Sequence, residues 1–123
     1  MKIPNNAGHI LVVDDEQDVR TMILLVLRSA GYTAEAVPGA EAALAHLEKG
    51  QFALVITDNR MPGMSGMELA LVIKTRWPLL PIVMFSAFPP EESTDCLDLV
   101  LTKPGGLSIL PQSVRQVLDR KAP

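Results

Sequence analysis

Five polar residues in this 123-residue chain stand where chemistry could be done. Asp14 and Asp15 are adjacent and follow the apolar run 10–13. Asp58 follows the run 52–57, Ser86 follows 82–85, and Lys103 comes just after 97–101, with Pro104 behind it. Three carboxylates gathered in one place repel one another. Two unit charges about 4 Å apart cost roughly 4 kcal/mol at an effective dielectric of about 20, so such a cluster needs a counter-charge. A divalent cation with hard oxygen ligands supplies it. Mg2+ suits the case best, because it takes one or two carboxylates, keeps several waters and bridges to a phosphoryl oxygen. Lys103 adds a mobile point charge and Ser86 a hydroxyl donor. Carboxylate, Mg2+, ammonium and hydroxyl together make a phosphoryl-transfer site. Asp58 is then the candidate nucleophile, since a carboxylate can form an acyl phosphate. Taken singly, each residue has a plainer reading: an acidic pair is often a helix cap, and a Lys-Pro a surface turn. The specificity lies in four strand ends agreeing.

The elements that must position these residues are legible as alternation. Runs 10–13, 33–37, 52–57, 82–85 and 97–101 are short and rich in Val, Ile and Leu, as strands buried on both faces are. Between them lie stretches of helical periodicity. Val19, Met22, Ile23, Val26 and Ala30 form the first stripe, stopped by Gly31. Ala40, Ala43, Leu44 and Leu47 form the second, stopped by Gly50. A third helix spans about 66–76 and is closed by Pro78. The last uses Leu107, Leu110, Val114, Val117 and Leu118, with Arg120 and Lys121 at the negative end of its dipole. The outline is (βα)5, an α/β fold whose parallel sheet carries helices on both faces. In open sheets of this kind ligands sit beyond the carboxyl ends of the strands, where the five residues fall.

Composition sets the limits. The chain is one domain in length, and 48% apolar content allows a real core without metal or disulfide staples. Lys and Arg number 11 against 14 Asp and Glu, a net charge of −3, which excludes a basic nucleic-acid footprint and so direct binding to nucleic acid. No apolar run could span a bilayer, and the first residues lack a signal-peptide core, so no membrane role is expected. A lone Cys96 points to a reducing, cytoplasmic setting. Residues 1–8 read as an N-terminal extension and 9–121 as the domain, with no output domain after it.

With these motifs in place, the chain resembles a response-regulator receiver domain of two-component signalling. The stretch 11–16 resembles the family's first strand and acidic pair, 58–66 its phosphoacceptor loop, 81–87 its fourth strand and hydroxyl residue, and Lys103-Pro104 its last hallmark. The resemblance implies a flavodoxin-like three-layer sandwich with strand order 2-1-3-4-5. It implies that Asp58 accepts a phosphoryl group from a histidine kinase or phosphotransfer protein. Asp15 and Asp58 would bind Mg2+ by their side chains, the Arg60 carbonyl would be a third ligand, and Asp14 would act through water. Ser86 and Lys103 would contact the phosphoryl oxygens. Pro62, Gly63 and Gly66 would shape the loop. Such a domain is a phosphoprotein rather than an enzyme: it catalyses only its own phosphorylation and dephosphorylation. It would signal to an unknown output protein through altered contacts, as a monomer or a phosphorylation-dependent dimer.

Two departures from the family matter. The aromatic residue usual three positions before the Lys is Val100 here. The fourth crossover is short: only about eleven residues connect Ser86 to the last strand, near the minimum for a parallel crossover. Pro89 and Pro90 confine its helix to about 91–97, a shortened fourth helix. Both departures fall on the face that usually carries output, so intact input chemistry with a remodelled output surface is expected. Arg60 and Phe88, two residues beyond Asp58 and Ser86, could shield an acyl phosphate from water and slow its loss. Leu24, Leu25 and Leu27 make the first helix apolar nearly all round, which predicts burial. Met84 and Phe85 are expected in the core, His46 exposed, and His9 without a role. The competing function is a scaffold module that keeps the fold without phosphorylation. A haloacid-dehalogenase-like phosphatase fits less well, because its Asp-x-Asp follows the first strand. The chain also lacks a Gly-rich nucleotide loop after that strand.

Overall fold

The structure is a computed structural model that describes residues 8–91 and 95–121. The expected 1–8 extension lies, apart from Gly8, outside the described residues. Five strands, β1 (His9–Val13), β2 (Thr33–Val37), β3 (Leu54–Thr57), β4 (Ile82–Ser86) and β5 (Leu99–Thr102), form one parallel sheet in the order β2-β1-β3-β4-β5. The helices are α1 (Gln17–Ser29), α2 (Ala40–Lys49), α3 (Gly66–Arg76) and α4 (Leu110–Lys121), with a 3-10 turn at Gly105–Leu107.

Strand alternation sorts the core into two layers. Ile10, Val12, Leu54, Ile56, Val83 and Phe85 face Ile23 and Leu27 of α1 and Leu110, Val114 and Val117 of α4. Leu11, Val13, Val55 and Ile82 face Ala43 and Leu47 of α2 and Leu69, Ala70 and Ile73 of α3. Central strands covered on both faces must be apolar at every position, which is why β1, β3 and β4 read as unbroken runs. Met84 and Phe85 are buried as expected.

The helix starts and stops have local causes. Ser65 accepts from the Glu68 N–H while Glu68 accepts from the Ser65 N–H, a reciprocal cap that starts α3. Strand β3 begins two residues later than its apolar run, and β5 is shifted to 99–102. The last helix, expected from Leu107, is a 3-10 turn there and becomes helical at Leu110.

One expectation needs correction. Helix α1 is not buried all round. Ile23 and Leu27 make its core stripe, whereas Leu25 is 62% exposed and Met22 half-exposed. An outer helix has one sheet to cover, so the rest of its apolar surface faces out. The middle of the shortened fourth helix expected over 91–97 lies outside the described residues, at 92–94; beside it, Glu91 is in a bend and 95–96 in a turn. Two consecutive prolines bring no N–H groups to a helical ladder. The crossover is anchored at its end. The Ile82 N–H donates to the Asp98 carboxylate at 2.8 Å, and the Asp98 N–H donates to the Ile82 carbonyl at 2.8 Å. On β5 the side chains alternate: Leu99 and Leu101 join the core, while Val100 is 40% exposed.

Candidate functional site

The loops after β1, β3, β4 and β5 meet at the carboxyl edge of the sheet. The Asp58 N–H donates to the Val13 carbonyl at 2.9 Å, so the ladder between β1 and β3 runs to the acidic residues themselves. Asp14 is 1% and Asp58 8% exposed, while Asp15 faces solvent. Carboxylate oxygens of the three lie within 4.8 Å of one another.

Each buried carboxylate is held at both oxygens. Asp14 Oδ1 accepts the Glu16 N–H at 2.9 Å, and Oδ2 accepts from Lys103 Nζ at 2.8 Å. Asp58 Oδ1 accepts the Asn59 N–H at 2.7 Å, and Oδ2 accepts from Lys103 Nζ at 3.3 Å. Lys103 follows β5, and its Nζ also lies 5.8 Å from the Phe85 ring centroid. Partial burial pulls the Lys103 ammonium down, but hydrogen bonds and charge from Asp14 and Asp58 outweigh it and hold its pKa above the ordinary 10.5. A raised folded-state value means that the contribution of this ammonium to stability is complete below the ordinary lysine range. It is lost as pH rises through the raised value. Burial also pushes the Tyr32 phenol up, which acts in the same direction. Urea midpoints taken from about pH 9 to about pH 12 are therefore expected to fall, and to fall less in Lys103→Met. An equal fall in the two proteins would remove Lys103 from the explanation.

Ser86 is fully buried, and its hydroxyl accepts the Phe88 N–H at 3.0 Å. Phe88 is a junction. Its carbonyl accepts from Asn59 Nδ2 at 3.0 Å, and Arg60 Cζ lies 4.1 Å from its ring centroid. The two residues after Asp58 thus hold the residue two beyond Ser86, joining the β3 and β4 loops. Arg60 is exposed at that junction rather than turned into the acidic cluster. Gly63 takes a φ of +78°, and Gly66 lies against the Asp58 backbone so closely that a Cβ there would overlap the Asp58 carbonyl oxygen.

The structure brings together Asp14, Asp15, Asp58 and Lys103, with Ser86 at the neighbouring strand end. Three contacts escaped sequence reasoning. Arg20 Nη1 donates to the Asp14 carbonyl at 2.7 Å. Asn59 bridges two loops, its Oδ1 also accepting the Met67 N–H at 3.3 Å. Phe88 is tied through its backbone. All three involve main-chain groups, which leave no signature in side-chain type.

The response regulator receiver domain model matches residues 10–114. The chain belongs to this family. The receiver domain is 32% identical over 120 residues to the chemotaxis protein CheY of Pseudomonas aeruginosa, covering 90% of this chain and 96% of that protein. It superimposes on the response regulator TrrA of Thermotoga maritima, solved in complex with Mg2+-BeF, with a TM-score of 0.83 and 30% identity over 89% of this chain and 98% of that one. The same regulator, solved in complex with the histidine kinase ThkA, gives a TM-score of 0.82 at 31% identity over 90% and 98% of the two chains. This chain spans about half or less of the length of several other curated regulators that it matches. Receiver domains are signalling modules of phosphorelays, and this reading is favoured over a non-phosphorylated scaffold. Among the described residues no helix is long and apolar enough to cross a membrane.

Proposed function

We propose that this receiver domain accepts a phosphoryl group on Asp58 from a phosphohistidine of a kinase or phosphotransfer protein. One observation carries the proposal: a nearly buried carboxylate stands between a lysine ammonium and two further carboxylates whose oxygens lie within 4.8 Å. A carboxylate oxygen of Asp58 attacks phosphorus, the P–N bond to the donor imidazole breaks, and the imidazole leaves with its electron pair. The donor set is all hard oxygen, which fits Mg2+ and not a softer ion. Asp15 and Asp58 would hold the ion, with the Arg60 carbonyl, and Asp14 would act through water. When bound, Mg2+ neutralises charge on the transferring phosphoryl group. Lys103 pairs with the phosphoryl oxygens once Asp58 carries them, and the Ser86 hydroxyl leaves the Phe88 N–H to donate to one. Lone Cys96 and the proposed donor suit a cytoplasmic location.

Three features favour a particular output. Val100 offers no ring to turn, the described crossover residues form no helix, and Phe88 is tied to Asn59, Arg60 and Ser86 at once. Movement of Ser86 therefore loosens the β4 loop at Phe88, and the altered loop is what an output protein reads, with the domain as a monomer or a phosphorylation-dependent dimer. The Arg60–Phe88 contact also covers the approach to Asp58 and slows autodephosphorylation. An exposed cation–π contact is worth about 0.5–1 kcal/mol, so Arg60→Ala or Phe88→Ala is expected to shorten the acyl-phosphate lifetime about two- to fivefold. Phosphate release from the isolated phosphoprotein measures this, and an unchanged lifetime in both variants would show that the contact does not cover the site.

Titration with beryllofluoride and Mg2+, followed by amide NMR, tests the proposal. Shifts are expected at Asp58, Ser86, Phe88 and Lys103, and none in Asp58→Asn. A silent wild-type spectrum would return the lead to the scaffold reading.

A further inference from the structure

We infer that Arg20 is a positioning residue for the acidic cluster: its guanidinium sets the direction in which Asp15 presents its carboxylate to Mg2+. The inference rests on the Mg2+ role proposed above for Asp15. Asp14 and Asp58 are nearly buried, and each accepts hydrogen bonds at both side-chain oxygens. Asp15 differs. It is exposed, and among the described residues nothing donates to its carboxylate. Its aim is therefore set by its main chain.

Both peptide groups that flank Asp15 are held. The carbonyl before it, that of Asp14, accepts from Arg20 Nη1 at 2.7 Å. The N–H after it, that of Glu16, donates to Asp14 Oδ1 at 2.9 Å. Arg20 also donates its own N–H to the Glu16 carbonyl at 3.1 Å, so one residue of α1 bonds to the main chain on either side of Asp15. The bond to Asp14 is charge-assisted and short, and such bonds are stronger than neutral ones. Arg20 is half-buried, so water competes for it less than at an open surface. Without the guanidinium the Asp14–Asp15 peptide is free to rotate, and Asp15 turns with it.

The ion makes such a rotation costly. Mg2+ tolerates little departure from octahedral geometry at about 2.0–2.1 Å, so a ligand aimed only by its backbone is sensitive to the peptide plane. Charge argues in the opposite direction. A guanidinium beside three carboxylates repels an incoming cation, and its removal would by itself tighten Mg2+ binding. The two effects have opposite signs, so one titration separates them. Groups that hold metal ligands in place change metal affinity by about 10–100-fold when removed, whereas a guanidinium partly open to water repels only weakly. Positioning is then the larger effect. Arg28 supplies an internal control. It lies on the same helix, and its Nη2 donates to the Ala34 carbonyl at 2.9 Å, but it stands in the last turn of α1, away from the cluster.

The test is calorimetric titration of Mg2+ into wild type, Arg20→Met, Arg20→Lys and Arg28→Met, with amide NMR of the metal-free proteins. Arg20→Met is expected to bind Mg2+ about tenfold more weakly, with the Asp15 and Glu16 amides already shifted before any ion is added. Arg20→Lys keeps the charge and a donor, and is expected to regain part of the affinity. Arg28→Met is expected to match wild type. Far-ultraviolet circular dichroism confirms that the variants are folded. Tighter binding in Arg20→Met would show that Arg20 acts through charge alone, and unchanged binding that it does not aim Asp15. Either result overturns the inference and leaves phosphoryl acceptance by Asp58 standing. An equal loss in Arg28→Met would also overturn it, by assigning the effect to α1 as a whole. No Mg2+ binding by wild type would overturn the Mg2+ reading and this inference together.

Discussion

Lys103→Met is expected to lower stability by about 3 kcal/mol in metal-free buffer, and Mg2+ is expected to return most of that loss. Lys103 Nζ meets Asp14 at 2.8 Å and Asp58 at 3.3 Å, and both carboxylates are nearly buried. Methionine keeps much of the stem's volume and removes the charge. Among the described residues, Asp14 then retains the Glu16 N–H on its other oxygen, and Asp58 the Asn59 N–H. Breaking a buried pair by removing one partner leaves an uncompensated charge, which is where the cost arises. A divalent ion restores the missing positive charge, so the stabilisation by Mg2+ is expected to be larger in the variant than in the wild type. Urea unfolding with and without Mg2+ measures both quantities. An equal Mg2+ increment in the two proteins would show that Lys103 is not the counter-charge of the cluster.

Gly66→Ala is the second large effect, expected to cost about 3 kcal/mol or more. A Cβ at Gly66 would overlap the Asp58 carbonyl oxygen and lie 2.9 Å from the Asn59 Cα. These are backbone atoms that cannot rotate away. The same loop is closed by the Gly66 N–H, which donates to the Asn59 carbonyl at 2.7 Å. Any relief of the clash therefore displaces the phosphoacceptor loop itself. Two other glycines calibrate the result. Gly63→Ala meets open space but sits at a φ of +78°, and is expected to cost about 1 kcal/mol. Gly39→Ala meets open space at an extended backbone angle, and is expected to change stability by less than about 0.5 kcal/mol. Urea midpoints of the three variants should fall in that order. A Gly66→Ala midpoint matching that of Gly39→Ala would mean that the loop has slack the structure does not show.

Most of the architecture was legible because this sheet is covered on both sides. Runs such as 10–13 and 82–85 have no polar position to blur them, and the first polar residue after each marks its carboxyl end. The strand order came from the family resemblance and not from the pattern. What the residues left hidden was decided by neighbours. Periodicity shows that α1 is apolar, but not that Leu25 looks outward, because only the packed sheet decides which stripe is used. Pro89 and Pro90 limit the fourth crossover to a short helix, whose middle lies outside the described residues; the Asp98–Ile82 pair that anchors the end of the crossover left no signal in the sequence. His9, for which no role was expected, is bonded to Thr33 and Glu35 across the strand pairing. At the acidic site the side chains were readable from type and position. Arg20 and Asn59 were not, nor were the backbone ties of Phe88, whose ring alone was readable by position, since these contacts use carbonyl and amide groups that every residue carries.

Phosphoryl acceptance by Asp58 is tested most directly by intact-mass spectrometry after incubation with acetyl phosphate and Mg2+, with Asp58→Asn in parallel. The expected result is a single phosphoryl adduct on the wild type that is absent from the variant and absent without Mg2+. An adduct that persists in Asp58→Asn, or that forms equally well without Mg2+, would contradict the assignment of this site.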